Sequence, residues 1–408
     1  MKSAGTAAAA GGEAVESGRV APRGLTALLT TAMAFSMMQL FLLGALGPRL
    51  VDALGVSPTL LGLTTTVGFG TAAVLSPAGG RIVDRVGPRR ALVALLAVSG
   101  AALGLAGAAP GPALLLVAVA LGGLPQALAN PATNKAILAA VPAPRRGAVT
   151  GTKQSGVQLG AFAAGLPLAA AAGPLGWRGA VWVASAAALG AALWAWRALP
   201  ADPPAKAGPA LRAPAAPDGP VPWLAGFSLF LGAGIASVNT YLALFGARRL
   251  GMGPTVAGAL VAVLGLAGIA GRVGWSRAAT PGRAPWLPGL LAGGAVGAAA
   301  LLVLAVRVEP LVWPAAVAVG VFAVSGNAVS MVLVLQRSAP GRAGQDSALV
   351  AAGFFAGFAV GPPLFGLLAE RGRYGEGWAL VAGEFAVAGA VAVLWAVRDR
   401  RTGRGAAT

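Results

Sequence analysis

Apolar runs of about twenty residues recur along the chain, divided by short breaks that hold most of its charge. A helix rises about 1.5 Å per residue, so runs of this length match the hydrocarbon thickness of a bilayer. They fall near 25–47, 58–79, 91–109, 112–136, 147–170 and 177–198, and then near 222–246, 253–275, 284–306, 310–336, 343–369 and 377–397. Between the sixth and seventh runs the character changes. Residues 199–221 mix Pro, Ala and scattered charge, which disfavours a helix and reads as a linker. The pattern predicts an all-α membrane protein with twelve spans in two groups of six. The expected N-terminal bundle is 25–198 and the expected C-terminal bundle 222–397. The Ala/Gly-rich residues 1–24 are expected to be disordered, and 398–408 form a basic tail. No signal-peptide pattern precedes the first run, which is therefore expected to remain as span 1.

Composition agrees with this class. Of 408 residues 57% are hydrophobic and 10% charged, with mean hydropathy +0.78, too little polarity to cover a water-soluble globule of this size. The chain has no Cys and no His. That excludes disulfides, Cys/His metal sites, a Ser-His-Asp triad and a His proton relay. No metal or other cofactor is expected. The net charge of +18 would suit nucleic acid, but the bases sit in short breaks between apolar runs, with no aromatic-interleaved basic face. They read instead as signals of orientation. An even number of spans puts both termini on one side, and that side holds 21 Lys and Arg against 7 opposite, with Lys135 and Lys153 left inside spans. Such a bias places both termini in the cytoplasm and the chain in the cytoplasmic membrane.

The stretch Gly80–Arg90 joins spans 2 and 3. Arg81, Asp84, Arg85, Arg89 and Arg90 could not lie in lipid, and Gly87 with Pro88 supplies the turn of a tight charged loop. The pattern Gly-x-x-x-Asp-Arg-x-Gly-x-Arg-Arg resembles the loop between helices 2 and 3 of the major facilitator superfamily of secondary transporters. The resemblance implies a cavity between two six-helix bundles and a gating role for Gly80, Asp84, Arg85, Gly87, Arg89 and Arg90. It implies that Asp84 meets the N-terminus of helix 11, near Gly344 and Gln345, when the cytoplasmic side closes.

The halves also resemble each other. Asn130 and Asn327 lie 197 residues apart, as do the pairs Gly156/Gly353 and Gly160/Gly357. Ser276 heads a degraded copy of the motif in which Thr280 and Pro281 replace the acid and the Arg. A parallel six-helix repeat is how the major facilitator fold is built. Gly353, Gly357 and Gly361 recur at four-residue spacing, as do Gly156 and Gly160, and each stripe is expected to seat a neighbouring helix.

By that resemblance helices 1, 4, 7 and 10 line the cavity. The candidate substrate contacts are Ser36, Gln39, Gln126, Asn130, Asn239, Tyr241 and Asn327, with Lys153 and Gln154 of helix 5 beside them. For each, a structural interhelical hydrogen bond is the competing role. Lys153 is expected to face the bundle, where it would suit an organic anion. Glu384, two turns into span 12, is the candidate acid for a coupling proton, with a structural role at the periphery as its alternative. The expected function is secondary active transport of a small solute by rocker-switch alternating access, in a monomer surrounded by lipid. The main alternative is a proton-coupled multidrug exporter. Such exporters often carry a base three residues before a helix 4 Gln, where this chain has Gly123 before Gln126. A membrane receptor or enzyme is the remote alternative. No nucleotide-binding motif, paired carboxylates within a span or large signalling domain supports it.

Overall fold

The computed structural model describes residues 24–202, 219–280, 282–338 and 343–401. Most of the expected linker, nearly all of the expected disordered N-terminus, Pro281, Arg342 and residues 402–408 lie outside these. The described residues form α1 (Leu25–Ala45), α2 (Pro58–Val86), α3 (Pro88–Gly107), α4 (Pro112–Ala140) and α5 (Ala143–Ala163, continued by a π turn Ala164–Leu168 and by Ala169–Ala171). Then come α6 (Gly176–Ala198), α7 (Val221–Arg248), α8 (Pro254–Ala278) and α9 (Leu287–Ala305). The last are α10 (Val312–Ala318, a π turn Val319–Ala323, and Val324–Arg337), α11 (Ala343–Glu370) and α12 (Tyr374–Arg401). A short helix, Gly47–Leu54, follows α1.

The ends are written in local chemistry. Prolines open α2, α3, α4 and α8, where a missing N–H costs nothing. Ser57 caps α2 by accepting from the Leu60 N–H at 3.2 Å. In α5, Pro167 cannot donate to the ladder and lies within the π turn.

Eleven helices among the described residues are long and apolar enough to cross a membrane. The one expected span missing from that set is α5, whose first half carries Arg145, Arg146, Lys153 and several small polar residues. It nonetheless packs along α1, α4 and α8. The expected loop over Gly80–Arg90 shrinks to one residue. Helix α2 runs on to Val86, Gly87 alone breaks it, and Pro88 starts α3. Charge keeps this segment out of lipid, but it does not prevent helix. The basic tail is helical as far as Arg401, because Arg398, Arg400 and Arg401 suit the negative end of the α12 dipole.

Packing repeats between the halves. In the first half α1 packs on α5, α2 on α4 and α3 on α6; in the second α7 packs on α11, α8 on α10 and α9 on α12. The halves meet through α2 against α11, α5 against α8, and α1 against α7. Large apolar side chains such as Leu138, Trp182, Leu266 and Leu394 remain on the outer surface, as lipid contact requires. One continuous apolar core joins both halves, and a smaller one lies at the terminus side of the second half around Leu224, Leu291 and Leu333.

Candidate functional site

The charged motif is held at the terminus side by partners from elsewhere. Asp202, just after α6, accepts from the Arg89 and Arg90 backbone N–H groups at 2.9 and 2.8 Å. It thus places a carboxylate on the positive end of the α3 dipole. Gly87 has φ 89°, and a Cβ there would collide with the Asp202 side chain, so the position needs glycine twice over. The Arg89 guanidinium lies 4.3 Å from the Trp196 ring centre and donates to the Trp196 carbonyl. Arg85 is exposed and Gly80 has open space around it. Asp84 pairs with Lys135 of α4 at 2.9 Å, and Lys135 also donates to the Val83 carbonyl. In this conformation Asp84 therefore engages its own half.

At the opposite end the halves are bonded together. Arg49 donates to Thr255 at 3.0 Å, Thr66 to the Ala359 carbonyl at 2.6 Å, and the Tyr241 hydroxyl to the Pro58 carbonyl at 2.7 Å. The Thr65 and Thr240 hydroxyls share a bond at 3.1 Å, Thr59 donates to Glu370, and Arg248 pairs with Asp52. Tyr241 is fully buried and stacks on Phe365 at 4.6 Å, and Phe69 of α2 sits 4.4 Å from Phe358 of α11. Glycines make this approach possible. A Cβ on Gly44 would strike the Asn239 carbonyl, and one on Gly62 the Pro362 carbonyl. Below this seam lies a cavity of about 10 Å³, room for about one water, lined by Gln39, Thr64, Thr65, Gln126 and Thr240 among others.

The expected substrate contacts divide. Ser36 donates within its own helix to Met33, and Gln39 donates to the Ala118 carbonyl of α4 at 3.1 Å. Gln126 Oε1 and Asn327 Oδ1 are buried without a partner among the described residues. Asn239 donates back to the Ile235 carbonyl at 2.9 Å, and its Oδ1 has no partner among the described residues. Tyr241 belongs to the sealed end. Gln154 donates to Asn130 Oδ1 at 3.1 Å, tying α5 to α4. Lys153 is completely buried, and its ammonium donates to Thr133 and Asn134, each at 2.6 Å. Those bonds aim it at α4 of its own half.

The glycine stripes seat helices. Gly156 and Gly160 meet the backbone of α1 at Thr30 and Ala34, while Gly353, Gly357 and Gly361 meet α7 at Ala225, Leu229 and Ala233. Glu384 lies on the buried face of α12 with Val381, Phe385 and Ala388, and its Oε2 has no partner among the described residues.

Two residues that sequence reasoning missed stand out. Asp202 had been part of the linker; its signal was an acid set directly after a span. Arg272 was not singled out; it lies inside α8, with Nε buried and without a partner among the described residues and Nη1 at 3.5 Å from the Gln154 carbonyl of α5. Its signal was its place one turn after Gly268 and two after Gly265, on the stripe that packs against Gln158.

Two pseudo-symmetric six-helix bundles, sealed to each other at one end, define a helical membrane transporter fold. The Major Facilitator Superfamily model matches residues 28–345, and the chain belongs to that superfamily, as a secondary transporter of a small solute. Among solved structures it is similar to a bacterial homologue of the human lysosomal transporter Spinster in an inward-facing and occupied conformation. That match has TM-score 0.75 and 17% identity, covering 91% of this chain and 96% of the other. The same homologue in an inward-facing and unoccupied conformation gives TM-score 0.73, 16% identity and coverage of 93% and 97%. A D323A mutant of the nucleoside transporter NupG gives TM-score 0.70, 13% identity and coverage of 91% and 99%. At these identities the likeness is one of fold. No protein with a curated description matches the chain.

Proposed function

We propose that this protein carries its solute across the cytoplasmic membrane by alternating access, as a monomer with both termini in the cytoplasm, and that the conformation described here faces inward. The observation that carries the reading is the seam around Tyr241. Six polar bonds between the halves gather at the end opposite the termini, among the described residues. The charge bias of 21 against 7 makes that end extracellular. When the halves rock, this seam opens and the cytoplasmic side closes. Asp84 then leaves Lys135 for the N-terminus of α11, where the positive end of a helix dipole suits a carboxylate. The proton is the proposed coupling ion.

The export alternative loses ground at Gly123. A Cβ there would stand 2.5 Å from the Gly68 carbonyl and 2.7 Å from Thr71 Cβ, so helix α2 occupies the place of the exporter's basic side chain.

A chain without cysteine allows a direct test. The Thr65 and Thr240 hydroxyls are 3.1 Å apart, close enough for a T65C/T240C pair to form a disulfide with a small adjustment. Oxidation should stop uptake into proteoliposomes and reduction should restore it. Full transport by the oxidised pair would refute alternation at this seam.

A further inference from the structure

Resting on the transport reading above, we propose that Arg272, with Gln158 and the Gln154–Asn130 pair, forms the recognition site for the anionic group of the solute, a carboxylate on a small organic molecule.

The argument begins with charge. Arg272 is ionised at any physiological pH. Helix α8 packs against α1, α5, α7 and α10, and not one of these four helices contains an Asp or Glu. The guanidinium therefore has no countercharge on any helix packed around it. Its one hydrogen bond among the described residues, to the Gln154 carbonyl, is long at 3.5 Å, and its Nε–H is shut from solvent with no acceptor. A half-buried cation whose Nε–H is shut away and so poorly paired is costly. Residues that carry such a cost need something that relieves it during function.

Geometry supplies the rest. Helices α5 and α8 run antiparallel, with Gln158 facing Gly265 and Gly268, and Gln154 facing Arg272 one turn further toward the termini. The Gln158 side chain lies over Gly268, where a Cβ would come within 2.9 Å of its Oε1, so the absence of a side chain at 268 leaves the amide free to reach along α8. That Oε1 is also buried without a partner among the described residues. Two unsatisfied groups thus stand one turn apart on the two sides of the interface between halves. An Arg fork binds a planar carboxylate through two parallel N–H donors, and the Gln158 amide can turn its NH₂ to the same oxygens. Gln154 is held by Asn130 at 3.1 Å, which fixes the floor of the site. Arg272 as a whole is half-buried, so part of its side chain remains open to an incoming group. In this proposal Lys153 is not a direct ligand: its ammonium is engaged by Thr133 and Asn134 of α4, and from α5 it adds positive potential.

The position also explains coupling to motion. Arg272 belongs to one half, and Gln154, Gln158 and Asn130 to the other. An anion bridging them would bind differently as the halves rock, which is the condition for a ligand to shift that equilibrium.

The test uses full-length protein in vesicles of phosphatidylcholine, which carries no net charge. Radiolabelled acetate, succinate and benzoate serve as anionic probes, glucose and uridine as neutral ones, each with and without a pH gradient. The wild type should take up at least one anion saturably. R272Q should raise the KM for that anion at least tenfold, about 1.4 kcal/mol, and R272K should recover part of the loss, since charge returns without the fork. Thermal unfolding in detergent with the same probes gives a readout independent of transport: the anion should raise Tm in the wild type and not in R272Q. An unchanged KM in R272Q or in R272K overturns the site. Stabilisation by phosphatidylglycerol that depends on Arg272, with none from the soluble anions, makes the occupant a lipid headgroup and overturns the proposal. Uptake of neutral probes alone overturns the anion site and leaves the transport reading standing. Uptake of none counts against the transport reading. The thermal shift then decides the site, its loss in R272Q supporting it and its absence in the wild type overturning it.

Discussion

Gly62→Ala is the sharpest probe of the sealed end. A Cβ at this position would stand 2.6 Å from the Pro362 carbonyl oxygen and 2.8 Å from its carbon, with the Tyr241 hydroxyl also in contact. The obstacle is backbone of α11, which cannot rotate aside as a side chain would. Overpacking of this kind costs about 1–3 kcal/mol. The cost exists only while α2 and α11 touch at this end, so it falls on the conformation described here and vanishes when the seam opens. A differential of about 2 kcal/mol shifts the balance of the two conformations about thirtyfold. Pulsed EPR can read that shift. Leu175 precedes α6 in the first half and Val308 precedes α10 in the second, and both are exposed at the sealed end. Nitroxides on L175C and V308C, in a chain with no native cysteine, should give a short distance in the wild type. Gly62→Ala should move a large part of the population to a longer one. An unchanged distance distribution in a folded variant would refute the claim that close backbone approach at Gly62 holds this end shut.

Two further predictions follow from single side chains. Asp202→Ala should lower the midpoint of thermal unfolding, because two N–H groups at the start of α3 lose their acceptor; the cost is about 1–2 kcal/mol, Asn should restore much of it, and an unchanged midpoint would show the cap to be inert. Glu384→Gln should leave the pH dependence of uptake intact, since the acid sits on α12 away from the interface between halves, and loss of proton-driven uptake with normal expression would make Glu384 the proton carrier.

Much of this protein was legible before its structure. A bilayer imposes one demand on every span, apolar length with internally satisfied backbone, and that demand is local, so hydropathy found the helices. The glycine stripes were legible for a similar reason: spacing of four puts Gly353, Gly357 and Gly361 on one face whatever that face meets. The Asp-Arg-x-Gly motif identified the family because its charges and its turn lie within eleven residues.

Partners were another matter. That Asp202 caps α3, that Asp84 holds Lys135, and that Tyr241 reaches the Pro58 carbonyl are contacts across 113, 51 and 183 residues of chain. No local pattern encodes them. Lys153 and Arg272 show the difference most clearly. By sequence the lysine was the exceptional base, and the arginine near the end of the eighth apolar run was not singled out. The fold buries the lysine against two neutral acceptors on α4. It sets the arginine between the halves with no acid on the helices packed around it, because side-chain surroundings depend on which helices pack together and not on the residues adjacent in the chain.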